Sequence, residues 1–294
     1  YDRCVSCGQC LVSCPFGAIV DKSQIFQVVR SIAEGNTVVA IVAPSFVGQF
    51  GKNVTVPKFV AALKQLGFSD VVEVAAGADV CAIEEARDFV EKVPTQQKFL
   101  ATSCCPSWRM MARRLFPNES GNISMTYTPM IYTARLVKHT HPGSKVVFIG
   151  PCAAKKLEAM QQELRSDVDF VLTYEELMGI FEAKAIDFSQ LPDTDDLQDA
   201  SGLGRGFAAA GGVAAAVEEV LRRTQPDMEV KIQRADGLRE CRRLLTLAKA
   251  GKFDGYLLEG MACPGGCVAG AGTIIPAEAA KKQTDAHAKQ ATVF

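Results

Sequence analysis

Three short stretches, "TSCCPSW" (102–108), "GPCAAKK" (150–156) and "EGMACPGGC" (259–267), put Cys104, Cys105, Cys152, Cys263 and Cys267 into turns built mostly from small residues. Thiolates select soft metals, and glycines let the backbone approach something bulky that is not a side chain. An inorganic cluster answers both features: four thiolates could hold a [4Fe-4S] cubane, which leaves one thiol spare. A further stretch, "CVSCGQCLVSCP", sets Cys4, Cys7, Cys10 and Cys14 in the C-x2-C-x2-C-x3-C-P run of bacterial ferredoxins. Zinc is the alternative there, but zinc sites usually pair two C-x2-C units or add His, and no His lies near. Where two such runs occur, the fourth Cys serves the other cluster. Only one run is present, so Cys4, Cys7 and Cys10 are expected to take their fourth ligand from a half that precedes Tyr1, whose own cluster Cys14 would serve.

The loops must be held by something regular, and the sequence supplies it. "TVVAIVAP" (37–44) is a continuous apolar run that reads as a buried strand, and "VPKFVAALKQLG" (56–67) follows with helical spacing and a terminal glycine. "DVVEVA", "KFLATS", "KVVFIG", "DFVLT", "MEVKIQ" and "DGYLLEG" are further strand candidates. Helix-length segments at 77–91, 107–116, 126–139, 173–184, 207–223 and 236–250 separate most of them. The expected class is α/β: two lobes with mostly parallel sheets flanked by helices, the site in the cleft between them, and a small N-terminal ferredoxin-like segment. The expected divisions are 1–22, 23–150 and 151–294. Each cysteine loop follows a strand, and the carboxyl ends of strands in open α/β sheets form the ligand crevice, so loops remote in sequence can meet there.

Composition narrows the functional classes. The 294 residues are 48% hydrophobic and 22% charged with a net charge of −1, and their Lys and Arg are scattered, which argues against a nucleic-acid footprint. No apolar run approaches the length of a membrane span. Eleven cysteines, nine of them in clustered motifs, fit metal ligation in a reducing cytoplasm better than a disulfide framework. No secretion signal is visible, although the chain opens on Tyr1 and an upstream segment is expected. His139, His141 and His287 have no ligand spacing and read as surface residues, Cys81 and Cys241 as small buried hydrophobes, and "LPDTDDLQDASGLG" (191–204) as a solvated connector.

The three cysteine loops resemble the signature loops of the [FeFe]-hydrogenases, and "VAPS" (42–45), "GADVCAIEEA" (77–86), "FVLTYEEL" (170–177) and "GFAAAGGV" (206–213) carry the likeness over nearly the whole chain after residue 36. The resemblance implies reversible H2 oxidation and proton reduction at an H-cluster. Its cubane would be held by Cys105, Cys152, Cys263 and Cys267, with Cys267 bridging to a diiron subsite bearing CO, cyanide and an azadithiolate. It implies that Cys104 is the proton-exchanging thiol, with Glu85, Ser124 and Asp88 on the path to the surface. Pro44, Ser45 and Lys155 would hold the cyanides, Met261 would pack on the diiron unit, and "CVSCGQC" would bind an accessory relay cluster. It further implies a ferredoxin-like electron carrier and maturation proteins that insert the diiron unit. Ordinary roles compete for some residues: a surface lysine for Lys155, core packing for Met261, a solvated helix face for Glu84 and Glu85.

Gly150 stands where many members have Met, and Thr128 and Met130 where Ser and Gln are common; the chain also lacks the longer C-terminal tail of many members. These departures suggest a divergent subgroup. Two other readings share the fold: an H2 or redox sensor, and a hydrogenase-like iron–sulfur assembly protein without the diiron subsite.

Overall fold

The computed structural model describes residues 3 to 292 except 195 and 199. In chain order the elements are α1 Gln9–Ser13, α2 Ile25–Ala33, β1 Val38–Val42, α3 Val56–Leu66, β2 Asp70–Glu73, α4 Val74–Lys92, β3 Leu100–Ala101, α5 Pro106–Leu115 and α6 Pro129–Thr140. There follow β4 Lys145–Gly150, α7 Ala154–Ala159, β5 Phe170–Thr173, α8 Tyr174–Ala183, α9 Gly202–Gly206, α10 Gly212–Thr224, β6 Lys231–Asp236, α11 Leu238–Lys249, β7 Tyr256–Met261 and α12 Ala277–Ala288. All strand pairs are parallel, in two sheets ordered β2-β1-β4-β5 and β3-β7-β6. Parallel sheets are covered on both faces. Accordingly every residue of β1 is buried, and two apolar clusters flank each sheet. Burying a side chain such as Ile41 contributes about 1.5–3 kcal/mol.

Sheet membership crosses the boundary expected at residue 150. β3, from the first part of the chain, pairs with β7, while β5, from the second part, completes the sheet of β1 and β4. Each sheet therefore takes strands from both sides of residue 150. Parallel strands need crossovers and not hairpins, so a partner far along the chain costs no more geometry than a near one.

Local signals set the element ends. Thr55 caps α3 by accepting from the Lys58 N–H, and Gly67 closes that helix in the left-handed region with φ 106°. Thr173 and Glu176 form a reciprocal capping box at α8. The helix expected over 207–223 begins only at Gly212, after Gly211 turns at φ 91°. The strand expected at "MEVKIQ" lies further along, over Lys231–Asp236. The N-terminal segment is tied down by the buried Lys156, whose ammonium meets Asp21 at 2.9 Å and Glu176 at 3.0 Å. Among the described residues no helix is long and apolar enough to cross a membrane.

Candidate functional site

Four strand ends deliver the site. β1 runs into Ala43-Pro44-Ser45, β3 into Cys104-Cys105, β4 into Pro151-Cys152, and β7 into Ala262-Cys263. All of these residues line one cleft, whose cavity volume is about 80 Å³, together with Cys267, Lys155 and Met261. The remaining walls are apolar, including Val74, Ala78, Met130, Phe148 and Phe207. Cys7 of the N-terminal run reaches the same cleft.

The motif residues between the cysteines bind the loops to one another. Trp108 is fully buried and donates from Nε1 to the Thr102 carbonyl at 2.9 Å, clamping the loop that carries Cys104 and Cys105. Its indole lies against Gly260, where a Cβ would come within 2.3 Å of the ring. The Ala262 N–H points at Cys105 Sγ, 3.5 Å away, and joins the first loop to the third. Gly266, at φ 95°, leaves no room for a Cβ because the Ala210 nitrogen would lie 2.5 Å from it. The small residues of "CPGGC" thus make way for neighbouring backbone, a demand additional to that of a cluster. Glu259, invisible to motif reading, accepts from the N–H groups of Gly211 at 2.6 Å and Ala214 at 2.8 Å, fixing α10 against the third loop.

Burial sets the charge state of the thiols. It pushes Cys152 up to about 11 and Cys267 up to about 12, with neighbouring cysteines adding to both, and it raises Cys105 and Cys263 in the same direction. Four crowded thiols in a dry cleft are neutral unless a cationic centre lies among them, and a metal centre inverts that balance. Among the described residues no three His, Cys, Asp or Glu side chains converge tightly enough for a single metal ion. The all-sulfur donor set of the cleft is of the kind that ligates iron–sulfur clusters.

Cys104 is the fifth thiol of the cleft. Burial and then the Glu85 carboxylate hold its pKa well above the ordinary value. Glu85 is fully buried on α4. Its Oε1 accepts from the Ser103 N–H at 3.0 Å, and its Oε2 has no partner in hydrogen-bond geometry among the described residues. Burial raises Glu85 to about 7 against the opposing pull of Ser103 and Ser124. Ser124 is buried nearby. Asp88, one turn along α4, is half-buried in a 2.8 Å ion pair with Lys92, a residue the motif reading passed over.

Lys155 is buried and not on the surface; its Nζ donates to Glu158 at 2.6 Å and to the Cys104 carbonyl at 3.4 Å. Burial alone would lower its pKa, but Glu158 and the nearby thiols outweigh this and raise it. Ser45 is fully buried, with its hydroxyl 2.8 Å from the Tyr174 hydroxyl, which in turn donates to the Ala43 carbonyl at 3.1 Å. The Phe148 ring occupies the room beside Gly150, where an added Cβ would fall 2.5 Å from it.

In the N-terminal run, Cys4 and Cys10 are exposed and Cys7 and Cys14 partly so. Backbone N–H groups, led by that of Phe16, lower the Cys14 pKa. His287, expected at the surface, is instead buried, edge-on to Phe46 and 3.5 Å from Glu73. Glu73 forms a fully buried ion pair at 2.6 Å with Arg205, which also binds the His287 carbonyl. Cys81 and Cys241 are core residues, as expected.

Residues 36–271 match the family model "Iron only hydrogenase large subunit, C-terminal domain", and residues 1–20 match "4Fe-4S binding domain". The NADP-reducing hydrogenase subunit HndD of Solidesulfovibrio fructosivorans is 31% identical over 92% of this chain, which spans 55% of that relative's length. Cytosolic iron-sulfur assembly component 3 of Bos taurus is 26% identical over 93% of this chain and 71% of its own. A solved structure of a variant of [FeFe]-hydrogenase HydA1 from Chlamydomonas reinhardtii superposes with a TM-score of 0.75 at 21% identity, covering 93% of this chain and 91% of that one, and shares the fold. With the cysteine-lined cleft at the ends of its two parallel sheets, this chain belongs to the iron-only hydrogenase family, matching the C-terminal domain of the large subunit, and carries a 4Fe-4S binding segment ahead of that domain.

Proposed function

We propose that the chain is the catalytic unit of an [FeFe]-hydrogenase that interconverts H2 with protons and electrons. The observation that carries this reading is the cleft itself: four half-buried thiols in loops that follow strand ends, with a fifth beside a buried carboxylate. Cys105, Cys152, Cys263 and Cys267 would hold a cubane and, through Cys267, a diiron subsite with CO, cyanide and azadithiolate, which supplies the chemistry of H2 cleavage when bound. Cys104 carries a proton at its thiol in the same cleft. Glu85, at about 7, takes or returns a proton near neutral pH, the range that suits a general acid and base. Ser124 and Ser103 orient that carboxyl group, and Asp88 with Lys92 opens the route to solvent.

Lys155 supplies a buried cation for anionic ligands. Serving a ligand from the Ser45 hydroxyl requires a turn away from Tyr174, so the backbone of Pro44-Ser45 is the readier donor side. Met261, Met130 and Phe148 keep the cleft dry, which strengthens every electrostatic contact inside it. Cys4, Cys7, Cys10 and Cys14 would hold iron–sulfur clusters able to relay electrons from a ferredoxin-like carrier, and maturation proteins would supply the diiron unit in a reducing, cytoplasmic setting.

An assembly-protein reading is favoured by the likeness to cytosolic iron-sulfur assembly component 3, and a sensor reading by Met130 in the cleft wall and by Gly150, which lies against the cleft residue Phe148. The retained Cys104, Lys155, Met261 and Glu85 favour catalysis over both. Hydrogen evolution from a reduced dye, measured on maturase-loaded protein, tests the proposal alongside infrared bands of CO and cyanide. Full loading with background turnover would defeat the enzyme in favour of a sensor, and absence of the infrared bands after maturation would favour the assembly role.

A further inference from the structure

The Lys and Arg are scattered along the sequence, yet the fold packs two arginine-rich helices against each other. Helix α5 carries Arg109, Arg113 and Arg114 with no carboxylate, and α11 carries Arg239, Arg242, Arg243 and Lys249 against Glu240 alone. The two helices pack on each other through Met111, Ala112, Cys241 and Leu245. Val5 of the N-terminal run packs on that same cluster, and Arg114 donates to the Cys4 carbonyl at 2.5 Å. Arg3, Arg114 and Arg242 are exposed, and the Arg239 side chain is 90% exposed. The ion pairs on these helices are long: Glu240 lies 3.9 Å from Arg239 and 3.7 Å from Arg243, and Glu158 lies 3.8 Å from Arg109. From Val5 to Val20 the N-terminal run has no charged side chain of its own, and exposed Cys4 is held by Arg114.

We infer that this arginine face of α5 and α11, beside Cys4, is the docking surface for a small acidic iron–sulfur carrier protein. The inference rests on the proposed entry of electrons through the N-terminal cluster and adds where, and to what kind of surface, the carrier binds. Uncompensated like charge steers an oppositely charged partner and raises its association rate, an effect that salt screens. In the transfer one electron leaves the carrier's reduced cluster and enters the N-terminal cluster; no bond is made or broken and no proton moves.

The test uses the full chain with its iron–sulfur clusters loaded and a reduced acidic plant-type [2Fe-2S] ferredoxin. Absorbance bleaching of the N-terminal cluster is followed by stopped flow. Replacing the exposed pair, Arg239→Glu with Arg242→Glu, is expected to lower the second-order rate about tenfold or more at low salt and to flatten its salt dependence. Bleaching by reduced methyl viologen should not slow in the same variant, and Lys281→Glu on α12 should leave the ferredoxin rate unchanged. Equal ferredoxin rates in the double variant and the parent chain would overturn the inference, as would an equal loss with Lys281→Glu. Tighter binding of a short DNA duplex than of the ferredoxin at physiological salt would also overturn it, in favour of nucleic acid. Because the readout is cluster reduction and not hydrogen, an inactive H2 site leaves the inference standing. Loss of docking in turn leaves dye-driven hydrogen evolution intact.

Discussion

Cys105, Cys152, Cys263 and Cys267 arrive from three loops spread over most of the chain, whereas Cys4, Cys7, Cys10 and Cys14 sit in one short run on a largely exposed segment. The first set is positioned by the strand ends of two sheets and by clamps such as Trp108; the second depends on its own spacing and on anchors at Val5 and Lys156. Removing a ligand from the cleft should therefore damage a site that the whole fold builds, and removing one from the run should damage a local one.

The largest expected effect follows from that contrast. Cys152→Ser should abolish hydrogen turnover and the cleft's cluster signals in electron paramagnetic resonance, while Cys4→Ser should remove only the N-terminal signal and leave dye-driven turnover. Equal losses would break the comparison. Cys104→Ser should come next: turnover falls by about 10²- to 10⁴-fold, with the infrared bands of the loaded site retained.

Glu85 sharpens the comparison through pH. Its folded pKa of about 7 lies above its ordinary 4.5, so its buried neutral form costs nothing below pH 4.5. As pH rises from there through 7, stability is lost, on the order of 3 kcal/mol over the whole window. Glu85→Gln should erase that slope in urea unfolding of the cluster-free chain, and an unchanged slope would remove Glu85 as its source. The smallest effect is expected at Gly150→Met, where collision with the Phe148 ring should cost about 1–3 kcal/mol, recovered in part by adding Phe148→Ala. Thermal unfolding checks this, and an unchanged melting temperature would show that the ring is free to move.

Much of this architecture was legible because the signals were local. The apolar run at 37–44 contains the strand Val38–Val42, and the stretch "EGMACPGGC" begins within β7 and leads into the cleft. What stayed hidden was non-local. Nothing near residue 100 says that β3 pairs with β7, and nothing in "TDAHA" says that His287 is buried against Phe46 and Glu73. Glu259 looked like motif filler because its partners, Gly211 and Ala214, lie far back in sequence. The proton-path candidates came from resemblance, since "EE" on a helix reads equally well as a solvated face; burial of Glu85 separates it from the less buried Glu84.

Leu100 finds its strand partner in Leu257. A chain emerging from the ribosome therefore carries the Cys104 loop for most of its synthesis with no sheet to stand on. Closing so long a loop is slow and costly in entropy. The order of biogenesis is thereby constrained: β7 must emerge before the cleft exists, whereas the N-terminal run is synthesised long before it.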